Sequence, residues 1–196
     1  PELRAARGDG LLPADPPVLR SLARQPVALI VPLDSPLTAL DWDAAAAILS
    51  GARGRWDGLG QEGEITVVGR SASASTHDLL RRDLLGGLPL TPALLALASD
   101  AEVARRVQER PGSLGFVALR SARGVRILGL RTADGVIVEP QAGGRTGEWP
   151  VALEVHLATH GLVHAQVEKL AAFGASAAGR SLGAELGFSA SGTTGP

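Results

Sequence analysis

Arg70 and the run Ser71, Ser73, Ser75 and Thr76 behind it are the residues of this chain best suited to chemistry. A guanidinium presents a planar fork of donors that matches an oxyanion two-pronged. Hydroxyls and free N–H groups at a helix start add more donors, at the positive end of the helix dipole. Such a set binds an anion and has no means of attacking it. His77-Asp78 follows Ser75, but neighbours at a helix start do not face one another. A hydroxyl–imidazole–carboxylate relay is therefore not implied, and a hydrolase built on Ser75 and His77 ranks last among the readings. His156, His160 and His164 are four apart. His156 falls in a period-two segment and Gly161 interrupts any helix, so no metal site is expected. No catalytic group and no cofactor is expected either.

The elements that must hold these residues follow from pattern. Residues 64–69, Glu-Ile-Thr-Val-Val-Gly, are β-branched and read as a strand ending at Arg70. Residues 75–85 read as a helix with Leu79, Leu80 and Leu84 on one face. Upstream, 1–25 reads as an irregular lead-in. Residues 26–33 form an apolar strand with Pro26 and Pro32 confining its ends. Asp41 caps a helix that runs through Leu49 and stops at Gly51. Ser99 and Glu102 form a capping box for a helix to Glu109, ended by Pro111-Gly112. Strands follow at 114–119 and 125–130, then an Asp134-Gly135 turn into 136–138. Residues 141–148 read as a loop and 151–157 as an alternating strand. Helices at 163–173 and 176–186 close the chain, the second capped by Ser176 and stopped by Gly187. The tail from Ser189 reads as frayed. Within this frame one of the Ser or Thr hydroxyls near 75 is expected to cap its helix. Trp56 and Trp149 are read as packing anchors, and Arg105, Arg106 and Arg110 as a solvated helix face.

Composition narrows the function. The chain has 196 residues, net charge −1 and no Cys. That gives no general attraction to nucleic acid, and it excludes thiolate chemistry and disulfides. No apolar run reaches the roughly 18 residues of a membrane span. Nearly all basic residues are Arg, with Lys169 the only Lys, so Arg abundance by itself says little. The chain opens at Pro1 and contains no Met.

Segments spread over 29–188 resemble, in order, the phosphate-binding solute receptors of ABC importers. Leu29-Ile-Val-Pro-Leu-Asp-Ser-Pro-Leu-Thr38 is similar to that family's strand and N-P-L-T start of the second lobe. Residues 48–76 resemble its I-F-x-G-x-x-x-x-W-x-D-x-G, then I-x-V-V-x-R-x-x-G-S-G-T. Residues 109–117 resemble P-G-A-I-G-Y-V, 148–157 the return strand, and 172–188 the closing F-x-x-S-x-x-G-Q helix. The resemblance implies an α/β, type II periplasmic-binding-protein-like lobe: a mixed sheet flanked by helices, with a partial second lobe. It divides the chain into a lead-in and hinge strand (1–33), a ligand-binding lobe (34–148), a return hinge strand and helices of an incomplete first lobe (149–188), and a disordered tail (189–196). Most of the family's first lobe is then not in this chain.

The implied function is capture of phosphate or a related small oxyanion by Arg70, Ser71, Ser73, Ser75 and Thr76. The implied partner is an ABC transporter permease, with neither nucleic acid nor a membrane span involved. The implied location is periplasmic or extracellular, with anchorage through a leader upstream of Pro1 left open. One departure matters. Where the family has R-x-D-G-S-G-T, this chain has Ala72 and Ala74 at the Asp and first Ser. That departure favours an alternative: a degenerate receptor-like domain kept as an interaction or sensing module without tight ligand binding.

Overall fold

The computed structural model describes residues 18–142, 149–159 and 165–190. The apolar run near 30 is the end of a longer strand, β1 (Val18–Val31), the spine of the molecule. Val27, Leu29 and Val31 face one core while Ala28 and Ile30 face another, as period two requires. The remaining strands are β2 (Ala39–Asp41), β3 (Thr66–Arg70), β4 (Leu95–Leu97), β5 (Ser113–Ala118), β6 (Arg126–Arg131), β7 (Ile137–Val138), β8 (Ala152–Thr159) and β9 (Ser189–Ala190). The helices are α1 (Trp42–Ser50), α2 (Ser75–Asp83), α3 (Asp100–Glu109), α4 (Ala165–Ala175) and α5 (Ala177–Glu185).

The main sheet runs β2-β6-β1-β5-β3-β4. β3 pairs parallel with β4 and β5, whereas β1 pairs antiparallel with β5 and β6. Before Pro26, β1 has other partners: β8 along most of its length and β9 at Ala23 and Arg24. Pro26 lacks an N–H and sits where β1 passes from one set of neighbours to the other, so the missing donor leaves no gap in a ladder. At the same crossing Val27 donates its N–H to Val151 O at 2.9 Å.

Helices cover both faces. α1 and α2 lay Ala45, Ile48, Leu49, Leu79 and Leu80 on one face with Trp56 and Trp149; α3 lays Val103, Ala104 and Val107 on the other. Trp56 is fully buried and donates Nε1–H to Gly112 O at 2.9 Å, and Trp149 donates to Val27 O at 2.9 Å. Both are packing anchors, as expected. This is the mixed α/β sheet with flanking helices that the sequence led one to expect.

Several expectations need correction. Asp41 holds the N-cap position of α1, but its side chain accepts from Arg131 at 2.8 Å rather than from the helix start. Residues 18–25 are strand rather than irregular lead-in, because their backbone pairs along β8. The strand also stops at Val31 rather than at residue 33. The chain from Ser189 is not all frayed: Ser189 is buried and, with Ala190, pairs with β1. Arg106 is not simply solvated, since its Nε is buried. The expectations for residues 1–17, 143–148, 160–164 and 191–196, with His160 and His164 among them, lie outside the described residues.

Candidate functional site

Parallel strands discharge their following loops at one edge, and the site forms there. β3 ends at Arg70, β4 leads through Ser99 into α3 at Asp100, and β5 leads through Ala118 to Arg120. β1 runs antiparallel to β5 with Val27 opposite Ala118, so its earlier half reaches the same edge. A cavity of about 330 Å³ lies there, lined by Arg70, Ser73–Thr76, Asp100, Arg120 and Gln25, with Val27, Ala118 and Leu153 as its apolar wall.

Each polar group is set by local structure. Ala74 N bonds Ser71 O at 3.0 Å and His77 N bonds Ala74 O at 2.9 Å, which turns the chain from β3 into α2. The residue in the N-cap position is Ala74, and no side chain bonds the helix start. The expected Ser or Thr cap is therefore absent, because the turn places an alanine where the hydroxyl would have to stand. α3 is the contrast. Ser99 Oγ accepts from Glu102 N at 3.2 Å and Glu102 Oε2 accepts from Ser99 N at 3.2 Å, the full capping box. Its first residue, Asp100, is thereby free to look elsewhere. Asp100 Oδ2 accepts from Ala118 N at 3.1 Å, and Oδ1 stands 3.5 Å from an Arg70 terminal nitrogen.

The pairing between Arg70 and Asp100 is long and leaves Arg70 Nε buried without a partner. Thr76 Oγ1 and Gln25 Nε2 are in the same state. All three can donate, and all three belong to residues lining one cavity. A buried donor without an acceptor costs about 1–3 kcal/mol, so three at one place mark where an acceptor is wanted. Ser73 and Ser75 are exposed at the rim. Ser71 stands a step back: its Oγ is 3.0 Å from Ser73 Oγ, and it is not among the lining residues. Arg120 has its guanidinium 5.8 Å from the centre of the Phe188 ring, a cation–π distance.

The sequence reading brought Arg70, Ser71, Ser73, Ser75 and Thr76 together; the structure places all of them but Ser71 on the cavity wall. The sequence reading missed Gln25, Asp100 and Arg120. The usable signal was the order of strands: if 64–69 and 114–119 run parallel, the residues just beyond each must meet. His77 and Asp78 follow in α2 but do not line the cavity. His156 lies exposed on β8. Among the described residues no group of three or more His, Asp or Glu is placed to hold a metal ion. No helix among them is long and apolar enough to cross a membrane.

A family model described as a PBP superfamily domain matches residues 3–169. Among solved structures the chain is similar to an ABC-type phosphate transport receptor from Vibrio cholerae, with TM-score 0.72 and 19% identity, covering 95% of this chain and 83% of that one. It is also similar to PstS from Borrelia burgdorferi, with TM-score 0.66 and 18% identity, covering 89% and 72%. A phosphate-binding protein from Stenotrophomonas maltophilia aligns with TM-score 0.55 and 16% identity, covering 79% and 60%. No curated protein sequence matches.

Proposed function

This chain belongs to the PBP superfamily, and from that premise we propose that it is an extracytoplasmic solute-binding protein that captures phosphate or a related small oxyanion for an ABC importer. The observation that carries the reading is that Arg70 and Thr76, each with a buried donor that has no partner among the described residues, both line one cavity at the uncapped start of α2. Two solved structures of similar fold are named an ABC-type phosphate transport receptor and a phosphate-binding protein, and that supports the choice of ligand.

The residues divide the task. Arg70 supplies the compensating charge and a directed N–H. Thr76 gives its hydroxyl, and the first N–H groups of α2 add the helix dipole. Ser73 and Ser75 close over the rim, and Ser71 steadies Ser73 through their 3.0 Å contact. Asp100 holds Arg70 from behind and keeps the site from carrying excess positive charge. No bond is made or broken. β1 runs through both parts of the sheet, and β8 lies beside it as far as Ala152 opposite Pro26, so closure around the ligand bends the two together near that point. The closed form then presents a surface to a permease. The working place is the periplasm or cell exterior.

The second reading, an interaction or sensing module without tight ligand binding, draws on a different observation. α4 and α5 bury no residue and expose Leu170, Phe173, Leu182 and Leu186. Thermal melting separates the two. A ligand that binds only the folded chain raises its melting temperature, and more so with concentration. The receptor reading expects such a rise with inorganic phosphate or sulfate and none with equal ionic strength of chloride. A melting temperature indifferent to millimolar oxyanion contradicts it and leaves the module.

A further inference from the structure

We propose that Gln25, on the crossing strand β1, is a direct ligand contact that joins the bound oxyanion to the smaller part of the sheet. This rests on the oxyanion reading of the same cavity.

Gln25 lies one residue before the point where β1 changes neighbours, opposite Leu153 of β8. Gln25 and Leu153 both line the cavity. Its amide nitrogen is buried and has no hydrogen-bond partner. The residue next to it, Arg24, is engaged with β8: its Nε is 2.7 Å from Glu154 Oε1. Successive side chains of a strand point to opposite faces, so Gln25 is on the face away from that pair. An amide buried there without an acceptor is a poor choice for a purely structural position, where Leu or Met would pack without penalty. The choice makes sense once an acceptor arrives.

The flanking groups decide which end of the amide is used. Arg70 and Thr76, each with a buried donor that has no partner among the described residues, line the same cavity as Gln25, and the Asp100 carboxylate is taken by Ala118 N and Arg70. An anion held by the first two groups accepts from the NH₂ end of Gln25. Arg70, Thr76 and Asp100 come from β3, α2 and α3, on the main sheet. Gln25 comes from the stretch of β1 that pairs with β8 and β9. One small ion thereby touches groups on both sides of the crossing.

The test is calorimetric titration of the whole chain with inorganic phosphate and with sulfate, for wild type, Gln25→Met and Gln25→Glu. Methionine keeps length and shape and removes both polar atoms. The expected result is a loss of affinity of about tenfold or more in Gln25→Met, with an unliganded melting temperature equal to or above wild type. Gln25→Glu, which sets a carboxylate against the anion, should lose binding at pH 7 and recover part of it at pH 5. Wild-type binding with unchanged affinity in Gln25→Met overturns the Gln25 contact and leaves the oxyanion reading intact. No saturable heat in wild type with either anion overturns both. A Gln25→Met chain that melts well below wild type shows a structural role for Gln25 and counts against the proposal.

Discussion

Thr76 holds a buried hydroxyl with no partner among the described residues, and its meaning depends on what enters the cavity. If the site takes an oxyanion, Thr76→Val removes a donor from the ligand and relieves an unpaired group in the free protein. Affinity for phosphate or sulfate should fall by about 1–3 kcal/mol, while the unliganded melting temperature stays level or rises. Isothermal titration and melting on one sample measure both. Arg70 and Thr76 were legible from the sequence because six positions separate them and a strand-to-helix turn must join them. Gln25, Asp100 and Arg120 were not legible. They are 45, 30 and 50 positions from Arg70, and only strand order brings them to the same edge. Asp100 stands between Ser99 and Glu102, and their capping box is what frees its carboxylate.

On the oxyanion reading, the start of α2 trades stability for binding. α2 begins at an alanine with no cap bond, where Asp is among the preferred residues. Ala74→Asp should stabilise the chain by roughly 0.5–2 kcal/mol in chemical denaturation. It should also abolish oxyanion binding, since its carboxylate takes the same N–H groups and repels the ligand. Gly69 fixes the end of β3. A Cβ there would lie 2.1 Å from the Phe116 ring, which is fully buried. Gly69→Ala should cost about 1–3 kcal/mol and weaken binding too, because Arg70 is the next residue. Long apolar strands and the α3 capping box were readable because hydrophobic period and cap chemistry are local. The start of β1 was not: Leu19-Arg-Ser-Leu-Ala-Arg-Gln25 alternates weakly and its pairing depends on β8 and β9. β4, of three residues, and β9, of two, are too short to leave a pattern.

Across the molecule, the junction of β1 with α4 carries an exposed ion pair. Arg20 donates to both Glu168 carboxylate oxygens, one at 2.6 Å. That charged hydrogen bond holds the Glu168 carboxyl below its ordinary value, and Arg55 and Thr132 do the same for Asp57 and Asp134. A folded-state pKa below the unfolded one means the contribution is present above the ordinary carboxylate range. It is lost as pH falls through the depressed folded value. Melting temperature should therefore drop between pH 6 and pH 3. The drop should be smaller in Glu168→Gln and at high salt, because the pair is exposed. A melting temperature flat over that range would contradict the assignment.

The central claim is that an oxyanion binds at the edge where β3, β4 and β5 end. Calorimetric titration of wild type and Arg70→Ala with inorganic phosphate and sulfate tests it most directly. The account predicts saturable one-to-one binding in wild type that weakens by about tenfold or more in Arg70→Ala, with the variant still folded. Absence of saturable binding in wild type, or equal affinity in folded Arg70→Ala, would contradict it.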